Sequence, residues 1–214
     1  MQRDPIVQTV PISQLRPTQI TVGFREVSEK RRHWAGLSAE HRAGFIGSHL
    51  VPVVLGPKGR HYVTDHHHLV RALHDEGAKS VLVTIVSDLS RLDQAALWIY
   101  ADNRGLCHPY DAKGRRVDFG EIPTSIAGLQ DEPYRSLAGA LRRAGGFAKE
   151  VTPFSEFCWA DFLRRRVKAK TVVHDFVTAL EAAYVLAKSA DAKYLPGWCG
   201  PVHEGDGLEP ALPD

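Results

Sequence analysis

Residues 63–73 read Val-Thr-Asp-His-His-His-Leu-Val-Arg-Ala-Leu, and this short run constrains the chain more than any other. The residues leading into it, His61-Tyr62-Val63-Thr64, are aromatic and β-branched and read as a strand. Leu69, Val70, Ala72 and Leu73 recur at helical spacing after it, and Gly77 supplies a C-cap. A strand therefore passes through a few polar residues straight into a helix. The first amides of a helix have no partners within it and carry a partial positive charge, so a phosphate is a natural ligand there. Imidazoles beside such a ligand can donate to its oxygens or move protons near neutral pH. Asp65 can cap the helix, hold a Mg²⁺ ion or take a proton.

Plainer roles exist for the same residues. Asp65 is a good N-cap on its own. Successive residues on a helix point about 100° apart, so at least one of His66, His67 and His68 is expected to be merely packed or solvated. The same angle disfavours a zinc site built from all three.

The flanks read as an α/β (α+β) domain. Residues 51–55 form a buried strand, Gly56-Pro57-Lys58-Gly59 a turn, and the next strand completes a hairpin. Residues 9–12 and 81–87 add strands. Helices are expected from about Glu26 to Trp34 and over 39–49, the latter capped by Ser38. Ser90-Arg91-Leu92-Asp93 reads as a capping-box variant, with Asp in place of Glu, for a helix ending near Asn103. Residues 107–132 are loop-rich. Beyond them Pro133, Ser155 and Thr171 open three further helices, the first stopped by Gly145-Gly146 and the last running to about Ser189. The expected organisation is a first domain over 1–105, a helical C-terminal region over 106–200 packed on it, and a disordered acidic tail over 201–214.

Charge narrows the partners. The chain carries 27 basic and 25 acidic residues, a net charge of +2, where a dedicated nucleic-acid binder has a clear basic excess. Arg164-Arg165-Arg166 with Lys168 and Lys170 still offers a local basic face, read either as a phosphate-backbone contact or as a solvated helix face. The three cysteines form no CxxC pair and suit a reducing, cytoplasmic compartment. No signal-length apolar run opens the chain and no 18-residue apolar stretch occurs, so no membrane partner is expected. Cys107-His108 is a poor nucleophile–base pair, because adjacent side chains rarely face each other.

The strand, the Asp-His-His-His box and the helix together resemble the ParB/sulfiredoxin superfamily, and most closely its ParB-like nuclease branch whose box reads DHHH. The resemblance extends over LRPTQITVGFREV (15–27), VPVVLGPKGRHYVTDHHHLVRALHDEG (51–77), DNRGLCHPYDAKGRR (102–116), EIPTSIAGLQDEPYRSLAGALRRAGGF (121–147), TPFSEFCWADFLR (152–164) and YLPGWCGP (194–201). It implies a ParB/sulfiredoxin-like N-terminal domain with a nucleotide phosphate at the helix after the box. Relatives on this fold bind CTP and DNA, phosphorylate a sulfinic acid, or phosphorylate free serine. The box here has no Cys, which argues against sulfinic-acid repair. The Gly-Glu-Arg-Arg box of segregation ParB would place its Gly at His66, and its later Glu-Asn-x-x-Arg motif survives only as Asp102-Asn103, with Leu106 where Arg belongs. The serine-kinase box Asp-Gly-His-His-Arg agrees at Asp65, His67 and His68, with His66 and Leu69 in place of its Gly and Arg.

These readings give a nucleotide-binding protein performing Mg²⁺-dependent phosphotransfer or hydrolysis on a small molecule. Asp65, His67, His68 and Glu26 are its catalytic candidates, and Asp65 its Mg²⁺ ligand. His66, Asn103, Arg104 and Arg25 are the phosphate-binding candidates, and the cofactor is ATP, ADP or CTP with Mg²⁺. A ParB-like DNA-binding protein or nuclease is the alternative, and a non-catalytic nucleotide or metabolite sensor the third reading.

Overall fold

The computed structural model describes residues 6–201. The chain divides into two compact units at Asp131/Glu132. The first therefore includes residues 106–131, which the sequence assigned to the C-terminal region. The expected tail at 201–214 lies outside the described residues apart from Pro201.

The first unit is built on a five-stranded mixed sheet. Its strands are β1 (Ile6–Pro11), β2 (Leu15–Pro17), β4 (Val51–Gly56), β5 (Arg60–Val63) and β6 (Ser80–Asp88), with β3 (Thr21–Val22) set apart. The spatial order is β1-β6-β4-β5-β2. β4 and β5 form the expected antiparallel hairpin, while β4–β6 and β2–β5 are parallel pairs. Alternation along the strands separates two apolar layers. Val51, Val53, Val63, Val81 and Val83 join one core with α1 (Phe24–Gly36) and α3 (His67–Asp75). Val54 and Tyr62 instead pack with Leu97 of α4 (Gln94–Asn103). Each large aliphatic side chain withdrawn from water in these layers contributes about 1.5–3 kcal/mol.

Between α1 and β4 lies α2 (Ala39–Ser48), capped as expected by Ser38, whose hydroxyl accepts from His41 N. At the end of α3, Gly77 adopts φ 75°, the left-handed conformation its C-cap role requires. α4 departs from expectation. Asp93 alone is its cap, accepting from Ala96 N at 2.8 Å, and Ser90 belongs to a turn whose amide bonds Asp88.

Residues 106–131 join the first unit for visible reasons. His108 N donates to Thr18 O at 2.8 Å, and Gln130 N donates to Ile20 O at 2.9 Å. β7 (Gln130–Asp131) pairs in parallel with β3. Ile126 and Leu129 are buried in the same core as α1 and α3. Long loops with their own buried apolar anchors belong to the body they are anchored to.

The second unit comprises α5 (Pro133–Arg143), α6 (Ser155–Arg164), α7 (Ala169–His174) and α8 (Phe176–Ala187). Pro133 opens α5 as expected. Two caps differ from the sequence reading. Phe154, in a left-handed conformation, precedes α6 and Ser155 makes no cap bond. The single helix expected after Thr171 is two, split at Asp175, which caps α8 by accepting from Thr178 N. The core centres on the fully buried Trp159, stacked on Phe147 at 4.3 Å, with Leu137, Leu141, Leu163 and three alanines of α8 around it. No described helix is long and apolar enough to cross a membrane.

Candidate functional site

The box lies where β5 gives way to α3. Thr64 anchors the end of the strand, its amide donating to Pro52 O at 3.0 Å. Asp65 is exposed, and its Oδ1 accepts the His66 amide at 2.6 Å. It therefore caps the turn before the helix rather than a residue within the helix. His66 is the N-cap of α3 and has φ 66°, ψ 21°. That left-handed conformation costs an L-residue roughly 1–2 kcal/mol, and glycine avoids the cost. The glycine found at this place in related boxes has a backbone reason, and His66 replaces it against that preference.

His67 and His68 turn inward. His67 is 3% exposed, and its Nε2 accepts the Thr18 amide at 3.2 Å. Burial drives its basicity far down, to about 3, against smaller opposing effects from Asp65 and the Val63 carbonyl. A ring that accepts at one nitrogen and lies beside a carbonyl at the other is neutral and fixed in one tautomer. His68 is 7% exposed, and its Nε2 accepts the Gly23 amide at 2.9 Å. The two imidazoles thus hold the two ends of the continuously buried segment 18–23, which carries β3. The catalytic role expected for His67 sits poorly with this placement. His67 is a buried acceptor for the backbone, out of solvent and neutral throughout the physiological range.

Glu26 is brought to the box as expected. It lies in the first turn of α1, whose N-cap is Gly23, and its Oε2 stands 3.6 Å from His68 Nε2. Lys30 lies 3.6 Å from its other oxygen, one helical turn on. Arg25 is exposed beside it at the start of α1. Asn103 and Arg104 are exposed at the end of α4, and the described structure gives neither side chain a hydrogen bond to the box. Loop 106–110 does approach from that helix, through the His108–Thr18 bond.

Two further candidates resolve plainly. Cys107 is buried and its thiol is pushed up to about 12, by burial first and Asp102 second, so it is no nucleophile at neutral pH. In the second unit, Arg164 pairs with Glu132 and Asp161, Arg165 with Asp161, and Arg166 lies over the Phe162 ring at 3.9 Å. Those arginines already have carboxylate or aromatic partners within the second unit.

Residues with roles that went unassigned in the sequence are Thr18, Gly23 and Arg71. Thr18 and Gly23 act through backbone amides, which no side-chain pattern reveals. Arg71 donates to the carbonyls of Leu129 at 2.6 Å and Ala127 at 3.1 Å, and so ties α3 to the loop before β7. An open groove of about 740 Å³ is lined by Ile20, Asp111, Arg115, Arg116, Asp118 and Glu121. It contains no residue of the box, and its arginines are bonded to Asp111 and Asp102. Among the described residues, no three His, Cys, Asp or Glu side chains are grouped to hold a metal.

A family model described as "Putative ParB-like nuclease" matches residues 8–165. The chain belongs to the ParB-like nuclease family. The match takes in the box, both clamped amides and Glu26, and so covers every element described around α3. Among solved structures, protein Atu1540 from Agrobacterium tumefaciens is similar to this ParB-like nuclease family member over 92% of this chain and 98% of its own, at 51% identity and a TM-score of 0.87. No curated protein matches.

Proposed function

We propose that the amino end of α3 receives a phosphate group and that the protein acts there on a phosphodiester, as a nuclease. The observation that carries this reading is His66. It holds a left-handed conformation at the N-cap, next to an exposed carboxylate, while its two neighbours are turned into the fold. Strain kept at one residue of a helix amino end points to a role for its side chain there. The family to which the chain belongs is described by nuclease activity, and this supports a phosphodiester over other phosphate esters.

In this reading the first turn of α3 orients the phosphate and His66 donates to its oxygens. Asp65 would hold a Mg²⁺ ion together with phosphate oxygens and water, as one exposed carboxylate suffices when the ligand supplies the remaining oxygens. Such an ion neutralises developing charge on the phosphoryl oxygens. Glu26 stands beside His68, its Oε2 3.6 Å from His68 Nε2. His67 and His68 serve as positioning residues.

Transfer from ATP, ADP or CTP to a small molecule is the second reading. The near-balanced charge of the chain favours it, because DNA binders gain most of their affinity from a basic excess. One assay separates the two. Thermal stability is measured with each nucleotide, and with a short DNA duplex at two salt concentrations, each with and without Mg²⁺. A salt-sensitive shift with DNA that His66→Ala removes supports the nuclease reading. A Mg²⁺-dependent shift with one nucleotide and none with DNA replaces it with phosphotransfer. No shift with any of these refutes a phosphate site at α3.

A further inference from the structure

His68 Nε2 faces two groups that make opposite demands on it. The Gly23 amide, 2.9 Å away, needs a lone pair. The Glu26 carboxylate, with Oε2 at 3.6 Å, needs a proton. One nitrogen cannot satisfy both. We propose that His68 is a proton-operated latch: neutral, it holds the Gly23 amide, and protonated at Nε2, it releases that amide and pairs with Glu26. This inference goes beyond the phosphate reading and does not depend on it.

The geometry makes the two states distinct. In the first, the Gly23 amide is bound at the point where segment 18–23 enters α1. In the second, the Nε2 proton points toward the carboxylate and the buried Gly23 N–H loses its acceptor. A buried donor without a partner is costly, so segment 18–23 must shift at that end. At its other end the Thr18 amide remains on His67, which is buried and far from protonation. The latch therefore opens at one end only.

From α1, His68 faces Glu26, with Lys30 3.6 Å from the other oxygen of that carboxylate. The turn Ile126–Gly128, which packs on α3, carries no ionisable side chain. From β7, Asp131 Oδ1 is bonded to the Phe24 amide at 2.8 Å, one residue beyond Gly23. On α3 itself, Arg71 is paired with Asp75, and His66 and His67 precede His68. Glu26 is thus the carboxylate placed to pair with the imidazolium that forms when His68 takes up a proton.

Nitrogen-detected imidazole spectra and amide hydrogen exchange of the whole chain test this between pH 5 and 8. The expected result is an Nδ1–H tautomer of His68 at high pH. On acidification His68 becomes an imidazolium, and protection of the Gly23 amide falls along the same titration curve while Val27 in α1 stays protected. In Glu26→Gln the curve moves to lower pH. In His68→Gln, whose amide oxygen can accept from Gly23 but cannot titrate, Gly23 protection becomes independent of pH after correction for intrinsic exchange. An Nε2–H tautomer at high pH in the unaltered protein overturns the latch without recourse to any variant. So does a Gly23 titration that persists in His68→Gln, or one whose midpoint Glu26→Gln leaves in place.

Discussion

Replacing His67 with alanine separates the two roles open to it. If the imidazole served chemistry, the variant would fold normally and lose activity. Its position predicts the reverse emphasis. The substitution removes the acceptor of the Thr18 amide, a donor 2% exposed at residue level, and leaves it buried. An unsatisfied buried donor costs about 1–3 kcal/mol. The void left by the ring adds to this, since neighbours collapse only in part. The Val63 carbonyl is less affected, because the Thr18 hydroxyl still donates to it at 2.7 Å. The sum is about 2–4 kcal/mol, which lowers the melting temperature by roughly 5–15 °C for a protein of this size. Urea unfolding followed by tryptophan fluorescence measures it directly, with the slope of the transition as a check that the unfolded state is unaltered. A variant with an unchanged midpoint would refute a structural role for His67 and return it to the reacting groups.

His66→Gly is expected to behave oppositely. Relief of the left-handed strain offsets the entropy that glycine adds to the unfolded chain, so stability should stay within about 1 kcal/mol, while binding at the α3 end is lost; a loss of stability like that of His67→Ala would show the imidazole to be structural. The pH dependence of stability follows from His67. Its unfolded form gains a proton below about 6.5 and its folded form only near 3, so the unfolded state binds more protons in that window. Stability therefore falls as pH drops from 6.5 toward 3, with a slope of up to about 1.4 kcal/mol per unit, and His67→Gln should flatten it. Equal slopes in urea titrations of the two proteins would contradict this. Asp93→Ala should destabilise by about 0.5–2 kcal/mol through loss of the α4 cap, whereas Ser90→Ala should not, a difference readable in melting temperatures. Cys107 should resist iodoacetamide at pH 8 in the native state and react only on unfolding, as mass spectrometry of the labelled peptide would record.

Much of this arrangement is legible in the residues. A buried apolar run, a Gly-Pro-Lys-Gly turn and a β-branched run after it located the hairpin, and helical spacing over Leu69 to Leu73 located α3. Ser38 and Pro133 marked helix starts correctly, because a hydroxyl before a helix or a proline in its first turn satisfies a local need. Caps failed where two candidates stood close together. Asp93 outcompeted Ser90, and Asp175 broke a helix whose apolar pattern looked continuous. The boundary near 105 failed because loop 106–131 has little regular structure, yet anchors itself through Ile126, Leu129 and the β3–β7 pair. Such long-range anchors have no local signature. Glu26 reached the box as expected, while Asn103 and Arg104 remained exposed at the end of their helix.

The three histidines look like one motif and act as three different groups. The helix explains why. With about 100° between neighbours, side chains that are adjacent in sequence must leave a helix end in different directions. His66, before the first helical residue, stays at the amino end in a strained conformation. His67 turns to the strand-end amide of Thr18, and His68 to the amide that opens α1. An imidazole suits both inward positions, since its ring fills apolar space while its nitrogen accepts a backbone donor that an aliphatic side chain would leave unsatisfied. Two histidines thus fix the loop around the helix end, while the third forms its N-cap. Substitution of any one should therefore produce a phenotype that differs in kind from the other two: loss of the proposed binding for His66, loss of stability for His67, and loss of the pH response of Gly23 protection for His68.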